Sequence, residues 1–197
     1  MSKKHGSNKE NLEATRRIFL NIARKEFSSK GYYNASTAEI VEASGMARGS
    51  LYYHFGDKKG LFKAVYEELM FEMRDSVQQE IENKTDSWTA FMTACMSIYD
   101  LCMIRETRRI IVDVHTALAY HERIEILQRS LLQHMQALID NAISDGHFKG
   151  HNSQTLIMLV FGMISETGRG FEVAEDIPKA RADIGKAFTL LMEQARA

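Results

Sequence analysis

One proline in 197 residues, Pro178, argues against a loop-rich or all-β chain and for helices. Cysteine is nearly as scarce. Cys95 and Cys102 stand seven residues apart, two turns along one helical face, so a disulfide framework is excluded and buried, reduced thiols are expected. Nothing basic adjoins either one, so a reactive thiolate has no visible cause. No apolar run approaches the ~18–20 residues of a membrane span. The stretch Met1–Asn11 is polar and carries no signal-peptide core, which leads to the expectation of a cytoplasmic protein. Gly-rich phosphate loops and G-x-S-x-G are missing, and no E-x-x-H pair supports a carboxylate di-iron bundle. An all-α enzyme is thereby disfavoured, and neither a cofactor nor a metal is expected. His115 and His121 stand outside any ligand pairing, which leaves them as satisfied or exposed histidines.

What is present is close to the average soluble globular composition, 45% hydrophobic and 26% charged. The length suits one large domain or two small ones sharing a core. The formal net charge of −1 is unevenly spread. Residues 1–62 hold eleven Lys/Arg against six acids, and the remainder holds fourteen against twenty. A basic head on an acidic body fits a polyanion-binding module joined to a non-binding one.

Periodicity and capping signals divide the chain into about nine helices, with no convincing strand. Residues 10–30 form the first, ended by Gly31. Ser36-Thr37-Ala38-Glu39 has the form of a capping box, with Glu39 expected to reach back to Ser36. A short helix to about Ser44 and a second from Arg48 to Phe55 flank Gly45, in a helix-turn-helix arrangement. Ile40, Ala43, Met46 and Leu51 are expected to pack the pair together. Arg48, Ser50, Tyr52, Tyr53 and His54 then lie on or near the outer face of the second helix, which fits a major groove. A long helix follows from Lys58, then helices over 88–103, 110–118, 122–144, 153–167 and 178–194. Trp88, Phe91, Met92, Cys95, Met96, Tyr99 and Met103 recur at helical spacing, as either a core face or the wall of a permissive pocket. Leu156, Leu159, Val160, Met163 and Ile164, with Ile184, Ala187, Phe188, Leu191 and Met192, form apolar stripes on the last two helices. Together they exceed what one protomer needs and predict a homodimeric four-helix bundle.

Across about fifty residues the chain resembles the TetR family of regulators. The matching elements are Phe27, Gly31-Tyr32, Ser36-Thr37, Ile40, Ala43-x-Gly45-Met46, Leu51-Tyr52-x-His54-Phe55, Lys58 and Leu61. The resemblance implies a helix-turn-helix DNA-binding head over 10–70 and an effector-binding and dimerisation body over 71–197. Ahead of them lies a basic arm over 1–9, in which Lys3, Lys4 and Lys9 either track DNA or form an inert tail. It implies a repressor, bound as a homodimer to a palindromic double-stranded operator and released by a small molecule. An apolar or aromatic effector is expected, with the Trp88–Met103 face as its pocket. An activator or a ligand-independent regulator remains the alternative. By position, Thr37, Tyr52, His54 and Lys58 correspond to phosphate contacts, and Arg48, Gly49, Ser50 and Tyr53 to base-facing residues. Two residues depart from the family pattern. Ala47 stands where Ser or Thr caps the recognition helix, and Ala38 where a polar or basic side chain is usual.

Overall fold

The computed structural model describes residues 3–196, with side chains from Lys9 onward. It contains α1 (Lys3–Asn34), α2 (Thr37–Ser44), α3 (Arg48–Phe55), α4 (Lys58–Ile81), α5 (Ser87–Met103) and α6 (Arg105–Ala117). There follow α7 (Tyr120–Leu127), a π turn over Gln128–Leu132, α8 (Gln133–Ser144), α9 (Ser153–Gly170) and α10 (Ile177–Ala195). α7, the π turn and α8 run on as one segment, so the described residues form nine helical segments and no strand, as expected.

α1 starts at Lys3, ahead of the expected residue 10. The side chains of Lys3 and Lys4, the core of the expected arm, lie outside the described residues. The helix breaks at Gly31, whose φ of 77° lies in the left-handed region that favours glycine. The Arg109 guanidinium also fills the space that a side chain at 31 would need. Ser36 caps α2 by accepting from the Glu39 N–H at 3.4 Å. The second half of the expected capping box is absent. The Ser36 N–H donates to Glu26 Oε1 at 3.1 Å, while Glu39 is drawn away to Lys30. A carboxylate from α1 has thus replaced the local one, tying α2 to α1.

Phe19, Ala23 and Phe27 of α1, Ile40, Leu51, and Leu61, Phe62 and Val65 of α4 are all buried and make the head's core. Phe27 and Phe62 meet edge to face at 5.0 Å. Ile40, Met46 and Leu51 join α2 to α3 as expected, but Ala43 points to solvent.

In the body, α5 is the central helix and packs against α4, α6, α8, α9 and α10. α6 begins at Arg105, one and a half turns before the expected start, because its charged lead-in is paired rather than solvated. Arg108 donates to Glu172 Oε2 at 2.9 Å and to the Met103 carbonyl at 2.8 Å. α9 runs on through Gly168–Gly170, where a loosening was expected, since Gly168 is buried against Cys102. Pro178 sits in the first turn of α10, capped by Asp176. The π turn centres on Ser130, whose hydroxyl donates to the Ile126 carbonyl at 2.7 Å.

Candidate nucleic-acid interface and body cavity

Gly45 (φ 65°) makes the left-handed turn between α2 and α3. Leu51 anchors α3 inward, which turns Arg48, Gly49, Tyr52 and Tyr53 outward and leaves Ser50 and His54 half-buried. Tyr53 is 74% exposed. The Arg48 guanidinium lies 5.5 Å from the Tyr52 ring and donates to its hydroxyl at 3.3 Å. That donor, with Thr37 of α2 beside it, lowers the Tyr52 pKa below the ordinary phenol value. Thr37, Arg48 and Tyr52 therefore form one surface cluster across the two helices. As expected, Ala47 gives α3 no side-chain cap.

Asp57 caps α4 by accepting from the Gly60 N–H at 2.7 Å. The two lysines at this corner diverge. Lys58 donates to the Tyr33 carbonyl at 3.0 Å and lies 5.0 Å above the Tyr32 ring, at the end of α1. Lys59 turns to the body and pairs with Glu122 at 2.7 Å. Several of the head's other bases are neutralised too. Lys30 pairs with Glu26 and Glu39, and Arg24 with Glu72 and Glu106. Arg48 and Lys58 keep no carboxylate partner among the described residues. The same holds for Lys9, Arg16, Arg17 and Lys25, so the head keeps a positive excess to which Arg48, on the exposed side of α3, contributes. Tyr33, 72% exposed and joined to Lys58 through its carbonyl, had no signature in the sequence.

The head is fastened to the body along α6. The Tyr32 N–H donates to Asp113 Oδ2 at 2.7 Å, and Arg24 Nε meets Glu106 at 2.6 Å. Asp113 is buried and also pairs with Arg109 at 3.2 Å.

The body contains an internal cavity of about 60 Å³. That is several times the ~10–15 Å³ one water needs. Its wall combines Tyr66, Met70 and Met73 of α4, Ile98 and Cys102 of α5, and Ile111, Val114 and His115 of α6. Arg123, Leu127, Leu131, Phe161, Ile164 and Ser165 complete it. None of Trp88, Phe91, Met92, Cys95, Met96, Tyr99 and Met103 lines it. Their face of α5 is core instead. Trp88 packs at a tilt against Phe91 and Phe148 and donates to Glu193 at 3.1 Å, and Tyr99 meets Phe188 edge to face. The cavity uses the neighbouring stripe, Ile98 and Cys102. Burial raises both thiol pKa values, that of Cys102 to about 12, so the cysteines stay protonated.

Of the residues expected at the dimer interface, Leu156, Val160, Ile164, Phe188 and Met192 are buried inside the protomer, while Met163 and Ile184 are half-buried. Leu159 (59%) and Leu191 (54%) are exposed, as are their neighbours Met158 (73%) and Leu190 (63%). Among the described residues no group of three His, Cys, Asp or Glu side chains is arranged to hold a metal, and no helix is long and apolar enough to cross a membrane.

Two family profiles match the chain. Residues 19–65 match "Bacterial regulatory proteins, tetR family", and residues 88–195 match "Tetracyclin repressor-like, C-terminal domain". A crystallised TetR-family transcriptional regulator from Pectobacterium atrosepticum is 31% identical. It superposes with a TM-score of 0.81 over 95% of this chain and 97% of that one. The transposon Tn10 TetC protein of Escherichia coli is 26% identical over 154 residues, 78% of each protein. The regulator AcrR of Shigella flexneri is 39% identical over 59 residues, which cover 30% of this chain and 27% of that protein. The exposed recognition helix, the two unpaired cations beside it and the match of both halves agree: the chain belongs to the TetR family and is a DNA-binding transcriptional regulator, not an enzyme.

Proposed function

We propose that the protein is a cytoplasmic homodimeric repressor that leaves a palindromic operator when a small molecule occupies the cavity in its body. The observation that carries this reading is the position of α6. One side of the helix, at Ile111, Val114 and His115, borders the cavity. Another, at Glu106 and Asp113, holds Arg24 and Tyr32 of the head. A ligand that enlarges the cavity displaces α6 and, through those bonds, the head. α4 runs from the DNA face at Lys58 to the cavity wall at Met73 and tilts with it. In a dimer the recognition helices must stand ~34–36 Å apart to enter successive major grooves. A ligand that favours the wrongly spaced state weakens DNA binding by its differential affinity for the two states.

The dimer is built from α9 and α10, with Leu159 and Leu191 at its centre, Met158 and Leu190 beside them and Met163 and Ile184 at the margin. Isolated exposed apolar residues need no explanation, but four large ones on the last two helices of the chain fit a self-complementary interface. On DNA, Arg48, Gly49, Ser50 and Tyr53 face base edges, and Thr37, Tyr52, His54 and Lys58 hold phosphates. The test is selection of bound sites from random duplexes, followed by a ligand screen on the complex. Symmetric half-sites about one helical turn apart and compounds that lower operator affinity are expected. Ligands that bind the body and leave operator affinity unchanged would refute effector-linked release.

A further inference from the structure

The cavity meets an outer groove of about 310 Å³ bordered by α6, α7, the π turn and α9. His115, Arg123, Phe161 and Ser165 belong to both spaces and form the junction. The inner space is almost wholly apolar, so the junction supplies most of its polarity. Arg123 dominates there. Its Nη1 donates to His115 Nδ1, and its guanidinium lies 5.7 Å from the Tyr120 ring. Its Nε is shielded from solvent and has no hydrogen-bond partner. Among the described residues no carboxylate lies within ion-pair distance of it.

This arrangement is costly unless something completes it. A half-buried guanidinium with an unsatisfied N–H loses hydration without gaining a counter-charge. The surroundings do not supply one. Glu166 is the one acid on either wall, and it is held by Arg169 at 3.0 Å. His115 cannot relieve the charge, because it is neutral and accepts from Arg123. Burial first, then Arg123 and Arg169, hold its pKa down to about 4 against the opposing pull of Glu166.

We propose that the effector is a compact amphipathic carboxylate, its apolar body in the inner cavity and its carboxylate held by Arg123 at the junction. The fork of a guanidinium matches a planar carboxylate with two parallel bonds, and the Ser165 hydroxyl stands on the same rim. A cationic effector finds no free acid on these walls. The inner volume of about 60 Å³ is smaller than the ~150 Å³ of a cavity that takes up benzene, so even an aromatic ring or a short acyl chain must enlarge it on entry, and a long tail is disfavoured. The inference rests on the effector-site reading above and adds the charge of the ligand to it.

The test is calorimetric titration of the full chain with matched acid and amide pairs: benzoate and benzamide, phenylacetate and phenylacetamide, hexanoate and hexanamide. At least one acid is expected to bind about tenfold or more tightly than its amide, the scale of a charge-assisted hydrogen bond. Arg123→Gln should abolish that preference and Arg123→Lys should keep part of it. The wild-type comparison stands even where a variant fails to fold. Amides that bind as tightly as the acids, or a panel in which no acid binds, would overturn the carboxylate assignment. Neutral compounds that bind and release the operator would do so while leaving the effector-site reading intact. Acids that bind through Arg123 without altering operator affinity would support the assignment and remove the release mechanism.

Discussion

The backbone N–H of Tyr32, just past the break that ends the first helical run, donates to the buried carboxylate of Asp113 at 2.7 Å. It joins the DNA-binding head to the middle of α6. Asp113→Ala leaves that N–H without its acceptor and frees Arg109 of one of its two carboxylates. A loss of about 1–3 kcal/mol is expected in urea unfolding, the cost of an unsatisfied buried donor. Asp113→Asn keeps an acceptor and should lose less. Equal losses would mean that the ion pair with Arg109, not the Tyr32 bond, matters.

The corner between α3 and α4 depends on Gly60. A Cβ there would stand 1.9 Å from the Phe55 carbonyl oxygen, which is backbone and has no rotamer to yield. Gly60→Ala is expected to cost roughly 2–4 kcal/mol and to weaken binding to every DNA sequence by displacing α3. An unfolding midpoint equal to wild type would show that the corner opens freely.

His115 gives the stability curve an acid limb. Its folded pKa, about 4, lies below the unfolded value near 6.5, chiefly through burial. Between these values the unfolded chain binds the extra proton, so stability is full above about pH 6.5 and falls as pH drops toward 4. The ring is about half-buried, so solvent screening reduces the effect to roughly 1–2 kcal/mol. In His115→Gln the fall in melting temperature between pH 7 and 5 should be smaller than in wild type. An unchanged fall would assign the acid limb to other groups.

Leu159 and Leu191 test the proposed dimer because both are exposed in the protomer. The double change Leu159→Asp and Leu191→Asp should leave helical content intact and turn the protein into a monomer in sedimentation at micromolar concentration. Operator affinity should fall with it, since two heads no longer bind as one unit. A dimer that survives the double change would place the interface elsewhere.

Much of the head was legible from the chain. Ser36 and Gly45 punctuate it by local chemistry, and the spacing from Ile40 to Leu61 sets the two short helices. Local reasoning failed where a distant partner intervened. Glu39 is claimed by Lys30 rather than Ser36, and Arg108 is buried because Glu172, far along the chain, neutralises it. The cavity was illegible for the same reason. Periodicity marked the face from Trp88 to Met103 as apolar but could not say that Trp88, Phe91 and Tyr99 face Phe148 and Phe188, while Ile98 and Cys102, outside that set, border open space. Arg123 carried no sequence signal at all, since its meaning comes from His115 one helix away.

Base reading by α3 is the central proposal, and Arg48 and Lys58 separate that role from phosphate gripping. Both are cations without carboxylate partners among the described residues, one on α3 and one at the start of α4. The decisive measurement is the affinity of wild type, Arg48→Ala and Lys58→Ala for the operator, a single-base-pair variant and unrelated duplex across several salt concentrations. Arg48→Ala should cost about 1–3 kcal/mol per half-site on the operator and shrink the operator-to-variant ratio. Lys58→Ala should weaken all three duplexes alike and flatten the salt dependence by roughly one unit of log–log slope for each phosphate no longer neutralised. An operator-to-variant ratio unchanged by Arg48→Ala, with the two variants alike at every salt concentration, would contradict base reading by this residue.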